Sequence, residues 1–367
     1  MKKFILFLLL IPVFISRCNA PGEKPEPVKA PVTANKELVQ ISINYPLHDG
    51  VFMWGIIGQI FERTNILELN GIKGEIQPLK DSIETTVACL NHKSDISLNS
   101  TGGVSLMIAM AQAKQLPAVR LIAVLGAGGR NALIVPYDSP IQDVKDLKGK
   151  KILNPIMGAL LDRFIEPGGL TRADIIMTEK YDYGLDTIKA FQTGGFDAAM
   201  SWDPFVQEHV EKQEARILAH DPYHLEIIVR QELIDKNTEA VINFLIALKE
   251  AIFFIQQNEG MVIKWYCDAT GLDVGLIKRC MIYADIYNET KDIKSINEIS
   301  LIPADNKIID MQNVADAMVW SGTFKARGLP SDKINIKDSI DLNIIRKSEE
   351  KASKKENEFR QKVTVLK

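Results

Sequence analysis

The chain of 367 residues is 46% hydrophobic and 25% charged, with a formal net charge of −3. That composition excludes a disordered or fibrous chain, and the length suits two lobes or two domains. A mildly acidic chain without a basic patch argues against nucleic acid as a partner.

Lys2 and Lys3 precede an apolar run from Phe4 to Ile15, broken only by Pro12. The run is shorter than the roughly 20 apolar residues that span a bilayer and has the length of a signal-peptide core. Loss of Lys2, Lys3 and Arg17 with this segment takes the formal charge from −3 to −6. Cys18 follows in Ile15-Ser16-Arg17-Cys18, which resembles a lipobox, the signal for acylating the cysteine and cleaving before it; Arg17 stands where a small residue is usual. The alternative is a plain signal peptide cut after Ala20. Pro21, Pro25, Pro27 and Pro31 then prevent a helix or central strand. They make a semi-extended tether, which would let a folded domain stand off a membrane.

From Leu38 the pattern becomes that of folded elements. Leu38 to Asn44 alternates as a strand does, and Val51 to Thr64 has a helical apolar face. Gly74 to Leu79 is a second predicted strand. Asp81 with Glu84 three residues on predicts a capped helix start. Asp95 to Leu98, Gly102 to Ala113 and Val119 to Leu125 continue as strand, helix, strand. A second series opens with a strand at Asn131 to Val135. It goes on with a strand at Lys151 to Asn154, a helix from Met157 to Glu166 stopped by Gly168-Gly169, and a strand at Asp174 to Met177. A helix at Gly184 to Gln192, a strand at Phe196 to Met200 and a helix opened by Asp203-Pro204 follow. Arg216 to Ala219 and Ile227 to Val229 are strands. The remainder is helical: Thr238 to Gln256, Glu259 to Asp268, Asp273 to Ala284, Asn306 to Phe324 and Lys347 to Phe359. The alternation predicts an α/β fold with largely parallel strands.

Several landmarks carry a family resemblance: Ser94-Asp95-Ile96-Ser97, Ile134 to Ile141, Asp146-Leu147-Lys148-Gly149-Lys150-Lys151, Phe196-Asp197-Ala198-Ala199-Met200 and Ser201-Trp202-Asp203-Pro204. In this order they resemble the periplasmic binding proteins for nitrate, alkanesulfonates, taurine and thiamine precursors, best over residues 38 to 260. The resemblance implies a two-lobed, type II-like periplasmic-binding-protein fold, with mixed parallel sheets flanked by helices and a hinge of two strands between the lobes. It divides the chain into a signal peptide (1–18), a tether (19–37), the first part of lobe 1 (38–130), lobe 2 (131–224), the second part of lobe 1 (225–340) and a charged tail (341–367).

In such sheets ligands sit beyond the carboxyl ends of strands, so strand-to-helix steps are the candidate site. His48 and Asp49 stand at one; His48 offers a donor or a ring, and Asp49 either meets ligand or caps the next helix. Asn99, Ser100, Thr101 and Gly102 open a helix whose first amides have no intrahelical partner, either a natural anion site or one that Ser100 or Thr101 simply caps. Asn154 and Gly158 stand at a third. Relatives with sulfonate or nitrate ligands often carry Gly-Ser there; Gly158-Ala159 lacks the hydroxyl, which points to a less charged ligand. Trp202 and Asp203 form the fourth: either the indole is an apolar wall bearing one donor, or Trp202 is a core residue and Asp203 caps the next helix. Trp202 and Tyr45 together favour a ligand with a flat or apolar part. Arg130, in the glycine-rich Gly126 to Arg130, either faces an anion in the cleft or pairs with a surface acid, and His224 precedes the returning strand.

No metal-ligand spacing, nucleotide motif or catalytic constellation is legible in the sequence, so no catalytic residue, metal or cofactor is expected. Cys267 and Cys280 either pair or, with Cys89, stay buried and free. The resemblance implies a monomeric solute-binding protein of an ABC importer, working with a permease and its ATPase, anchored outside the cytoplasm through Cys18. The alternatives are a ligand-sensing envelope protein and a same-fold enzyme of thiamine-pyrimidine or menaquinone synthesis, against which the signal segment argues.

Overall fold

The computed structural model describes residues 37–48, 51–113, 118–153, 158–178, 189, 191, 193, 195–320, 323–326, 334–354 and 363–366. Cys18, Asp49, Asn154 and most of the helix expected at 184–192 therefore lie outside the described residues.

Among the described residues eight strands form one sheet: β1 (Val39–Pro46), β2 (Ile72–Leu79), β3 (Ile96–Ser100), β4 (Val119–Pro136), β5 (Lys151–Leu153), β6 (Ile176–Thr178), β7 (Ala198–Trp202) and β8 (Ala215–Arg230). Their order is β2-β1-β3-β8-β4-β7-β5-β6. The β2-β1-β3 group is parallel, as is β7-β5-β6, and β8 and β4 join the two groups through antiparallel pairings.

The sequence suggested separate strands at Val119 to Leu125 and Asn131 to Val135, and again at Arg216 to Ala219 and Ile227 to Val229. Each pair is one long strand, of 18 and 16 residues. The glycines between the first pair bend the strand without ending it. The β4–β8 register shifts between Val124 and Ala127 and again between Ala127 and Gly129, as bulged strands do. A Cβ on Gly129 would come 2.5 Å from the Tyr223 hydroxyl, so only glycine lets Tyr223 close on this bend.

Helices cover both faces. Those between β1 and β4 are α1 (Phe52–Arg63), α2 (Ile66–Leu69), α3 (Ser82–Leu90) and α4 (Thr101–Ala113). Next come α5 (Gly158–Ile165) and α6 (Phe205–Glu211). After β8 follow α7 (Gln231–Thr270), α8 (Val274–Cys280), α9 (Asp285–Thr290), α10 (Asp305–Trp320), α11 (Thr323–Ala326) and α12 (Leu342–Ala352). The two helices read at Thr238 to Gln256 and Glu259 to Asp268 are segments of α7, which is non-helical at Asn237 and Asn258. Gly271 caps it in the left-handed region at φ 78° and donates to the Cys267 carbonyl.

Strand alternation decides which face meets which layer. Ile96 and Leu98 of β3, with Leu225, Ile227 and Val229 of β8, enter the large core against α1 and α7. The alternate residue Ile228 enters a second core with α4 and α10, so His224 and Glu226 share that second face. Smaller cores lie on the two faces of the β7-β5 end. Cys89, Cys267 and Cys280 are all buried and free, so the pairing left open by the sequence is not formed.

Candidate ligand-binding site

A cavity of about 110 Å³ lies over the carboxyl ends of β3 and β7. One wall is made by the first residues of α3 and α4 with the last of β3: Ser82, Ile83 and Ser100 to Gly103. The opposite wall is Trp202 from the end of β7 with Leu160 and Arg163 from α5. Residues 222–224 of β8 and the i, i+4, i+8 stripe Asp310, Val314 and Met318 of α10 close the remaining sides.

Local chemistry fixes the first wall. Asp81 caps α3 by accepting from the amides of Ile83 (2.9 Å) and Glu84 (2.8 Å). Asn99, fully buried, ties the starts of the two helices together. Its Nδ2 donates to Thr85 Oγ1 (2.9 Å), Thr86 Oγ1 (3.2 Å) and the Ser82 carbonyl (3.2 Å), and its Oδ1 accepts from the Ser100 amide (2.9 Å). Its carbonyl accepts from Trp54 Nε1 at 2.5 Å. A Cβ on Gly103 would stand 2.1 Å from Asn99 Oδ1, so the helix must open with glycine there. A Cβ on Gly102 would meet nothing within 4 Å. The first amides of α4 have no intrahelical partner by helix geometry, and that helix end favours negative charge.

Charge is concentrated on the far side. Arg163 Nη2 lies 3.0 Å from Asp221 Oδ2 and 3.7 Å from Asp310 Oδ1, and His224 Nε2 lies 3.6 Å from Asp310 Oδ2. Burial pulls the His224 imidazole below its ordinary range, so it is neutral near pH 7, with Asp310 acting the other way. Burial raises Asp221, against the pull of Arg163. Beneath the cavity floor Glu226 is fully buried and accepts from or donates to Thr101 Oγ1 at 2.5 Å. Burial pushes its carboxyl well above the ordinary carboxylate range, opposed by the Thr101 hydroxyl.

Of the residues chosen from the sequence, Ser100, Thr101, Gly102, Trp202 and His224 line the cavity. Gly158 begins α5, which supplies Leu160 and Arg163. The others are elsewhere. Asn99 is the strut behind the wall. His48 is exposed, with its amide on the Lys80 carbonyl at 3.2 Å. Arg130 and Asp203 are committed to each other: Nε to Oδ2 at 2.9 Å and Nη2 to Oδ1 at 3.1 Å, both side chains almost fully buried. Arg130 also donates to Gln207 Oε1 (2.8 Å) and lies 3.6 Å over the Tyr283 ring. The acid that Arg130 takes is thus a buried one at the end of β7. Tyr45 is a core residue whose hydroxyl is held by Glu62 and Gln59, so it offers a ligand nothing.

The sequence reading missed Ser82, Asn131, Arg163 and Asp310. Ser82 follows a strand end and a capping Asp81, the same signal that selected Ser100. Asp310 and Val314 carry no such mark, because their spacing is that of any amphipathic helix.

Among the described residues no group of three or more His, Cys, Asp and Glu could hold a metal, and no helix is long and apolar enough to cross a membrane.

A mixed sheet whose two halves are joined by long antiparallel strands, with a cavity between helix N-termini and an aromatic wall, is the fold of the periplasmic binding proteins. The chain belongs to the family described as NMT1/THI5 like, whose model matches residues 67–259, more than half its length. It is 26% identical over 231 residues to the putative aliphatic sulfonates-binding protein of Bacillus subtilis (strain 168). That match takes in 61% of this chain, and the chain spans 64% of the length of that relative. Its fold matches the periplasmic aliphatic sulphonate binding protein SsuA of Escherichia coli with a TM-score of 0.65 at 20% identity, over 83% of this chain and 92% of that one. The desulfurization enzyme DSZB matches with a TM-score of 0.62 at 12% identity, over 85% of this chain and 99% of that one. The fold alone is therefore shared by binding proteins and an enzyme.

Proposed function

We propose that this chain is the solute-binding protein of an ABC importer, capturing a small organic anion between two lobes that close about β4 and β8. The observation that carries the reading is the make-up of the cavity: the amide-rich start of α4 on one side, and Trp202 with α5 on the other. An anionic head at α3 and α4 and an apolar tail along Leu106, Trp202 and Met318 match the two kinds of wall. The sulfonate ligands named for the relatives have that form. The absent hydroxyl at Ala159 leaves the head to be held by α3 and α4.

In this reading residues 38–130 and 225–340 form one lobe and 131–224 the other, and ligand shifts the population toward the closed arrangement. Residues 1–18 direct export, Cys18 carries the lipid anchor, and 19–37 tether a monomeric domain to the envelope, where it meets a permease and its ATPase. The protein retains its ligand and does not transform it.

The test is thermal melting of the chain from Ala20 onward with alkanesulfonates, taurine, nitrate, pyrimidines and aromatic carboxylates. A ligand at 100 times its Kd adds about 2.7 kcal/mol of stability. An upward shift with one class that Trp202→Ala abolishes, with the ligand recovered unchanged, supports the proposal. Turnover of the ligand, or no shift with any class, overturns it.

A further inference from the structure

We propose that Glu226 is protonated in the folded protein and donates to Thr101, so that the Thr101 hydroxyl points its own proton into the cavity and selects a ligand group that only accepts hydrogen bonds. This rests on the binding reading above and adds a positioning residue that does not itself touch ligand.

The geometry leaves the carboxyl little choice. Glu226 is fully buried, and Oε1 lies 2.5 Å from Thr101 Oγ1. Its Oε2 has no hydrogen-bond partner, and no cation pairs with the group among the described residues. Opposite it in the sheet stand Asn99 on β3 and Val124 on β4. The titratable neighbour on the same face of β8 is His224, itself neutral. A buried carboxylate supported by one hydroxyl is far more costly than a neutral acid.

A carboxylic acid has one O–H to give, and a threonine hydroxyl has one proton and two lone pairs. If the acid proton sat on Oε2, that O–H would be a buried donor with nothing to meet. On Oε1 it lies along the short contact to Thr101, and Oε2 is left as an acceptor, the less costly orphan. Thr101 Oγ1 then accepts from Glu226 and is free to donate only elsewhere. Thr101 lines the cavity at the start of α4, so its hydroxyl adds a donor to the helix's first amides. That donor favours a fully ionised acid head over its amide, whose N–H groups gain nothing from it.

Infrared difference spectroscopy on the full chain tests the proton, and calorimetry with hexanesulfonate and hexanesulfonamide tests its consequence. The wild type at neutral pH is expected to show a protonated carboxyl C=O band that Glu226→Gln removes, and hexanesulfonate is expected to shift that band. Glu226→Met should weaken hexanesulfonate binding by about threefold to tenfold, and Glu226→Gln should rescue it, because its amide N–H donates to Thr101 from the same place. Thr101→Val should lose affinity and the preference for sulfonate over sulfonamide together. Absence of the band, equal affinity in the Met and Gln variants, or tighter binding by Glu226→Gln than by wild type would each overturn the inference. The last would mean an ionised Glu226 that occupies the Thr101 proton. If neither probe binds wild type while the band is present, the sulfonate form of the binding reading fails and the placement of the proton on Glu226 stands.

Discussion

Arg163 on α5 and Asp310 on α10 both line the cavity and lie 3.7 Å apart, Nη2 to Oδ1, while the same guanidinium lies 3.0 Å from Asp221 on β8. The cation most available to a ligand is therefore already shared between two carboxylates. It joins α5, which follows β5, to α10, which follows β8.

Loss of that link should loosen the closed form more than it weakens the fold. Both Arg163 and Asp310 are about one-third exposed, and ion pairs at such positions contribute roughly 0.2–1 kcal/mol. Asp310→Asn should therefore raise the Kd of a bound ligand about twofold to fivefold, with little change in melting temperature without ligand. Calorimetry at low and high salt checks it: the wild type should lose that advantage in high salt, where exposed charges are screened, and the variant should not.

The Arg130–Asp203 pair behaves oppositely because it is buried. Removing Asp203 alone leaves a guanidinium at 6% exposure with Gln207 and the Tyr283 ring as its remaining partners among the described residues. Asp203→Ala should cost about 3–5 kcal/mol, as breaking one side of a buried pair does. Urea unfolding measures this. The double variant Arg130→Met with Asp203→Leu should recover much of the loss, since no uncompensated charge remains.

These pairs also mark where sequence reasoning ran out. Strands and capped starts were legible because alternation, Asp81 and the Gly168-Gly169 stop are local signals. The joining of two predicted strands into β4 was not, because glycines usually end an element and here they only bend it against Tyr223. Ser100, Thr101, Gly102 and Trp202 were legible as strand ends in an α/β order. The partner of Arg130 lies 73 residues away, and Asp310 reaches the cavity only through the packing of α10, so no local pattern marks either.

Close packing under α1 gives a further test. A Cβ on Gly58 would come 2.5 Å from the Tyr45 ring. That ring cannot swing aside, because its hydroxyl is held by Glu62 (2.8 Å) and Gln59 (2.9 Å). Gly58→Ala gains about 1 kcal/mol of helix propensity, but overpacking of a core costs about 1–3 kcal/mol. The variant should be destabilised by about 1 kcal/mol in chemical unfolding, whereas Gly260→Ala, with nothing within 4 Å of its Cβ, should be neutral or stabilising.

The protonation of Glu226 has a consequence for stability that needs no ligand. Its carboxyl titrates well above the ordinary value near 4.5 because it is buried. Below that ordinary value both folded and unfolded chains hold the proton, and the group does not change stability with pH. As pH rises past it, the unfolded chain releases the proton while the folded chain keeps it. Stability then falls by about 1.4 kcal/mol per pH unit, until the folded group itself ionises. Glu226→Gln has no proton to lose and escapes this slope. Its stability relative to wild type should therefore be similar at pH 4 and should improve steadily toward pH 7. Every other titrating group, His224 included, is common to the two proteins and drops out of the difference. Urea unfolding of both at pH 4, 5.5 and 7 measures it, and a difference that stays constant across that range would mean that Glu226 ionises alike in the folded and unfolded chains.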